Sequence, residues 1–498
     1  MKKVLLLVCL MLTFAIFANR SVFSQDSEIN TWSAFRGNNS SGVARPDQDP
    51  PVEFSSDKNV IWKTPLISGV SSPCIWGDRI FLTGFDEEKQ QLQVMCYNRL
   101  NGKLIWNQIV PAKEIEPCHA VSSPADATPA TDGERIYVHF GSYGLLCYDF
   151  DGDMLWSIEL PVNSNNYGTG TSPIVMDDKV ILKVSRPNGE RYLIAVDSKS
   201  GKQVWKNSNV AGTGSASTPI VWNGDLIIHG GRRVAAYSIK DGSEIWQVMA
   251  ITNGASTPVA YSDKLYVGTW FQGGEQNQRP TIPEYHELLN KFDKNKDGLI
   301  SKQEVPDDFY IARRPEIQEI ADANPSLIAA WDLYVDLDHN NTIDKSEWQK
   351  FLDLIYNQLS ADHGLIAIKS GANGNISSEN IIWKVSENVP EVPSPLYYKD
   401  RVYMIKNGGI ASCMNALTGE LLYCERLGVS GPYISSPVVA NDQIYIASHR
   451  GIVVVFEAGD ELKVLAKNDL DEKILATPAI VDNKLYVRTA NHLYAFGE

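Results

Sequence analysis

Basic residues are scarce in this chain: 45 Lys and Arg stand against 60 Asp and Glu, a formal net charge of −15. That balance excludes a nucleic-acid-binding surface and a polybasic membrane patch. Cysteine is scarce too, at seven in 498 residues. No two cysteines are spaced CxxC, which excludes zinc ribbons and thioredoxin-like redox motifs. Past residue 18 no apolar run is long enough to span a bilayer. With 43% hydrophobic and 21% charged residues, wholesale disorder is excluded as well.

The start of the chain addresses it. Lys2 and Lys3 precede an apolar run from Val4 to Ala18, interrupted by Thr13, and a more polar stretch follows from Asn19 to Gln25. This is the layout of a secretory signal. Cleavage after Ser24 satisfies the preference for small residues, and Ala18 also qualifies. The run is shorter than the ~20 residues a spanning helix needs. The expectation is a signal peptide over residues 1–24 and a periplasmic or secreted protein with no transmembrane segment after cleavage. Six cysteines remain, Cys74, Cys96, Cys118, Cys147, Cys413 and Cys424. An even count permits disulfides without requiring them.

Internal repetition is the strongest signal present. A Ser/Thr-Pro pair recurs at Pro73, Pro129, Pro173, Pro219, Pro258, Pro395, Pro437 and Pro478. Each pair is followed by a short turn and an alternating strand pattern, such as Arg79–Thr83 or Lys484–Arg488. A third run then ends in Asp or Asn, with a Gly and a Trp downstream. Asp197, Gly201 and Trp205 form the clearest copy, and Asn98, Gly102 and Trp106 another. The Asp or Asn side chain can close an Asx turn, and the Gly supplies a positive φ. The Trp ends the next strand, where a flat ring packs between neighbouring sheets. Four strands in about 42 residues make one propeller blade, and eight copies predict eight blades. The last repeat stops at Phe496, before its Trp-bearing strand. Asn59–Lys63 at the other end of the chain matches the missing piece, so the N-terminal strand is expected to complete the final blade.

The pattern A-x-D-x-x-T/S-G-x-x-x-W resembles the pyrroloquinoline quinone (PQQ) type of β-propeller repeat, over roughly residues 58–270 and 361–498. The opening Trp32-Ser-Ala-Phe-Arg36-Gly37 is similar to the leader of such exported propellers. The resemblance implies an all-β, eight-bladed fold shared by quinoprotein dehydrogenases and by non-enzymatic scaffolds of the BamB kind. Fold alone does not choose between them. Dehydrogenases of this type use a vicinal cysteine pair, and this chain has no Cys-Cys dipeptide and no CxxCH haem segment. The resemblance therefore speaks against bound PQQ.

One step between repeats, from Pro258 to Pro395, is 137 residues, about 95 more than a blade needs. The extra segment is acidic: residues 281–360 hold 16 Asp and Glu against 8 Lys and Arg. Tyr285, Leu288, Leu289 and Phe292 fall on one helical stripe, as do Trp348, Phe351, Leu352 and Ile355. Between the stripes lie two twelve-residue loops with the EF-hand pattern. In the first, Asp293, Asn295, Asp297, Ser301 and Glu304 offer side-chain oxygens and Leu299 a backbone carbonyl. In the second, Asp336, Asp338, Asn340, Asp344 and Glu347 do the same, with Thr342 as the carbonyl donor. A hard cation of flexible geometry wants such oxygens, so two calcium ions are expected. The second loop has Asn341 where glycine is usual, and Asn tolerates the left-handed conformation well.

The boundaries read from the sequence are a signal at 1–24, a leader at 25–57, propeller over 58–270 and 361–498, and the EF-hand insertion at 271–360. Cys118-His119, Tyr143, Tyr167 and Trp270 stand out locally, but no residue set assembles a catalytic or organic-cofactor site. The expectation is an exported calcium-binding propeller acting as a non-catalytic scaffold that meets an envelope or extracellular protein or polymer. The alternative is a PQQ- and calcium-dependent oxidoreductase of alcohols or sugars.

Overall fold

A computed structural model describes residues 30–119, 121–163, 167–185, 190–210, 216–317, 325–358, 362–371 and 376–498. The expected signal peptide lies outside them. The alternating runs form antiparallel strands, and the positive-φ turn residues reverse the chain between them. In blade one, Cys74–Trp76, Arg79–Asp86, Gln91–Asn98 and Leu104–Ile109 pair in order, with the first strand innermost. Eight such sheets form an eight-bladed propeller. The fourth sheet counts three strands because Asp225–Tyr237 is a single long element pairing with Ile220–Trp222 at one end and Glu244–Thr252 at the other.

The ring closes as expected. Val60–Pro65 pairs antiparallel with His492–Phe496, setting Trp62 against Ala495 and Lys63 against Tyr494. The Asx turns are also present: Asp197 Oδ1 accepts the Ser200 N–H at 2.8 Å, and Asn98 Oδ1 accepts those of Leu100 and Asn101.

Five repeat tryptophans each tie their blade to the next. Trp62, Trp106, Trp156, Trp205 and Trp383 donate their indole N–H to the carbonyls of Arg99, Phe150, Ser198, Ile239 and Ala416. The rings lie against Gly102, Gly152, Gly201, Gly242 and Gly419. Each bond contributes about 0.5–1.5 kcal/mol, beyond the apolar area the ring buries.

A second tie runs around the axis. The N–H of Ser72 donates to the Thr128 hydroxyl, Thr128 to Ser172, Ser172 to Thr218 and Thr218 to Thr257. Thr257 donates to Ser394, Ser394 to Ser436, Ser436 to Thr477, and Thr477 back to Ser72. These are the residues before each repeat proline. The eight bonds, 2.9 to 3.4 Å long, form a closed circle in which every blade holds its successor.

The leader crosses the inner strands. Thr31–Trp32 pairs with Ile75 and Trp76 of blade one, and Asn39 exchanges two hydrogen bonds with Val221 of blade four. Arg36 reaches the carbonyls of Pro395 and Pro437 in blades six and seven, and Val43 bridges Val439.

Candidate metal centre

The insertion leaves blade five after the strand Lys264–Thr269 and returns at Gly364–Lys369, and those two strands pair with each other. It has its own apolar core, in which Leu288, Phe292, Ile300, Trp331, Ile343, Trp348 and Phe351 are buried together. The stripes read from the sequence are the faces that build it. Helix Tyr285–Phe292 starts with a Glu284/Glu287 capping box, and helix Lys345–Asp353 with an Asp344/Glu347 box. Trp348 donates its indole N–H to the Pro283 carbonyl, joining the two hands.

The loops sit side by side although they start 43 residues apart in sequence. Ile300 and Ser301 pair antiparallel with Ile343 and Thr342 as a two-stranded ribbon. Tyr285 Oη bridges it, donating toward the carbonyls of Gly298 and Ile343 at 2.9 Å each.

In loop one, Asp293 accepts the N–H groups of Lys296 and Gly298, and Asn295 and Asp297 accept those of Asp297 and Leu299. Glu304 folds back over the loop: Oε1 accepts from Lys294 and Asn295, and Oε2 from Ser301. The Ser301 N–H leads the bonds that hold the Glu304 carboxyl down at about 2. Loop two repeats the design. Asp336 accepts from Asn340 and Asn341, and Glu347 Oε1 from Leu337 and Asp338. Asp344 caps the exiting helix through the Glu347 N–H. Asn340 Oδ1 accepts from Thr342.

Both loops place their sixth residue in the left-handed region, Gly298 at φ +81° and Asn341 at φ +66°. The departure from glycine is thus accommodated, as expected for Asn. Asp336, Asp338 and Glu347 bring carboxylate oxygens within 4.8 Å of one another, the one such group of three among the described residues. The donors are all oxygen, which suits calcium.

Before, between and after the hands the chain is anchored to the propeller. Lys406 of blade six, 2% exposed, donates to Glu275 at 2.7 Å and lies 3.6 Å from Glu316. His363 Nε2 is 3.4 Å from Glu275, and Arg314 pairs with Glu391 while lying over the Trp270 ring. No local pattern marks this root, because Lys406 and Glu275 lie 131 residues apart.

The other singled-out residues fall elsewhere. Tyr143 and Trp270 are buried, whereas Tyr167 is 65% exposed and lies tilted against the His119 ring, with centroids 5.5 Å apart. Cys118 and His119 line a cavity of about 460 Å³ with Glu116 and Arg488. Burial, then Glu116 and Asp126, push the Cys118 thiol up to about 12, which favours its protonated form. Cys74, Cys96, Cys147 and Cys413 are buried, and all six described cysteines are free thiols. No helix among the described residues is long and apolar enough to cross a membrane.

The family model described as outer membrane protein assembly factor BamB matches residues 47–188 and 90–274. The EF-hand model matches residues 286–305 and 334–352. No curated protein sequence matches the chain. BamB from Moraxella catarrhalis is similar in structure, at 13% identity and a TM-score of 0.52, over 88% of this chain and 99% of that one. Quinohemoprotein alcohol dehydrogenase ADHIIG from Pseudomonas putida HK5 is similar at 12% identity and a TM-score of 0.52, over 94% of this chain and 80% of that one. The quinohemoprotein alcohol dehydrogenase from Comamonas testosteroni matches at 10% identity and 0.52, over 94% and 81%. At these identities the likeness concerns the fold.

Proposed function

We propose that this chain, a PQQ-like eight-bladed β-propeller with an inserted EF-hand pair, is an exported, calcium-binding, non-catalytic scaffold. Its five segments are the signal at 1–24, the leader at 25–57, the propeller over 58–270 and 361–498, and the insertion at 271–360. Two calcium ions bind, one per loop. Asp293, Asn295, Asp297, Leu299, Ser301 and Glu304 hold the first. Asp336, Asp338, Asn340, Thr342, Asp344 and Glu347 hold the second. Calcium there screens clustered carboxylates and clips the two hands together by mass action. The loops of the propeller face then meet a protein or polymer of the envelope or the extracellular space.

One observation carries the non-catalytic reading. A quinone with an axial calcium needs carboxylate and amide oxygens near the propeller axis, and this axis carries the buried guanidinium of Arg36. That charge has the wrong sign for a cation site. The likeness to quinohemoprotein alcohol dehydrogenases supplies the competing reading, an oxidoreductase. Reconstitution with PQQ and calcium, followed by dye-linked oxidation of a panel of alcohols and sugars, separates them. No turnover is expected; sustained turnover overturns the scaffold.

A further inference from the structure

Arg36 is 0% exposed. Its Nη2 donates to the carbonyls of Pro395 at 2.9 Å and Pro437 at 3.2 Å, while Nε and Nη1 have no partner. No carboxylate among the described residues pairs with it, and burial pulls its pKa down to about 9. A guanidinium keeps its proton, so an unpaired one in the interior demands a counter-charge.

Pro395 and Pro437 directly follow Ser394 and Ser436, two members of the hydroxyl circle. Each hydroxyl in that circle accepts one N–H from the neighbouring blade, as with Ser394 and Ser436. None of the eight donates its own proton to an acceptor among the described residues. A Ser or Thr hydroxyl carries one donor, so eight O–H groups around the axis are left to find an acceptor. Three N–H groups of Arg36 join them. Basic side chains continue outside the circle: Lys183 donates to Ser217, and Arg488 to Ser71, each next to a circle member.

We infer that the propeller axis binds a small inorganic anion, of the halide class, held by Nε and Nη1 of Arg36 with hydroxyls of the Ser/Thr circle completing its donors. Size follows from enclosure. Every circle member is at most 3% exposed, and an enclosed site of this kind favours a small ion over a bulky oxyanion. The ion supplies the charge that Arg36 lacks and the acceptor that the hydroxyls lack. It would therefore bind the assembled ring and not its separate blades.

Bromide tests this directly. The full chain is refolded in bromide buffer without other halides, crystallised, and measured at the bromine edge. An anomalous peak in contact with Arg36 is expected. Water alone at that position overturns the inference. In solution, the melting temperature should be higher in chloride than in gluconate at equal ionic strength, and Arg36→Met should abolish the difference. A variant that keeps the full difference also overturns it. Should Arg36→Met not fold, the bromine peak of the unaltered chain decides by itself.

Discussion

Trp205 of blade three lies over Gly242 of blade four and donates its indole N–H to the carbonyl of Ile239, the first residue of the turn that leads to Gly242, at 3.0 Å. The pairing explains why glycine and tryptophan recur together: the ring of one repeat needs the bare backbone of the next. A Cβ on Gly242 would stand 2.5 Å from the indole, at φ +73°. Gly242→Ala should therefore destabilise by about 1–3 kcal/mol through overpacking and backbone strain. Trp205→Phe should lose about 1 kcal/mol with the hydrogen bond, plus a packing cost. Urea unfolding measures both.

The hydroxyl circle makes a separate prediction. Thr257 accepts the buried Thr218 N–H at 3.0 Å. Thr257→Val keeps the shape and orphans that N–H, at about 1–3 kcal/mol. Thr257→Ser keeps the acceptor and should recover most of the loss. Equal destabilisation by the two variants would show that the circle contributes nothing.

Calorimetry should find two calcium ions per chain. Loop two brings the carboxylates of Asp336, Asp338 and Glu347 together, so it should bind more tightly than loop one. Glu347→Gln should abolish the tighter event and Glu304→Gln the weaker. Two-site binding retained by the double variant would refute the ligand assignment.

Glu275 anchors the insertion and is tuned by its surroundings. Burial raises its carboxyl, but the His363 and Lys406 contacts outweigh that and hold it below the ordinary value of 4.5. A depressed folded pKa stabilises at pH above the unfolded value, and that contribution is lost as pH falls through the folded one. The gap in melting temperature between the unaltered chain and Glu275→Gln should be full above about pH 5 and close as pH falls further below 4.5. A gap that persists unchanged into strong acid would refute the role of this carboxylate.

Deleting residues 25–64 removes both the closing strand of blade eight and the leader. The whole ring should lose stability, since Val60–Pro65 pairs with His492–Phe496 and Arg36 joins blades six and seven. An unchanged melting temperature would contradict that role.

Blade number, closure and the two EF-hand loops were legible in the sequence because each shows as a local spacing or its interruption. Asp197, Gly201 and Trp205 lie within one hairpin, and Asp293 to Glu304 within one loop. The Ser/Thr-Pro pairs were visible as repeat marks, but their hydroxyls act on a backbone 39 to 137 residues away, and 405 at the closing bond. Arg36 was one letter of a leader motif, and its partners sit more than 350 residues on. Lys406, Glu275 and Glu316 likewise meet only once blades five and six are side by side. Long-range polar pairing leaves no period in a sequence.

The leader also sets an order of events. Arg36 reaches Pro437 across 401 residues, and Asp49 reaches Asn483 across 434. As the chain is made, its first described segment emerges long before the blades it must touch exist. Contacts of such separation form late, after the loop between them has been closed. Until then Arg36 has no berth, and a half-made chain carries an open ring. Arg36, among the first described residues to be synthesised, is among the last to be seated.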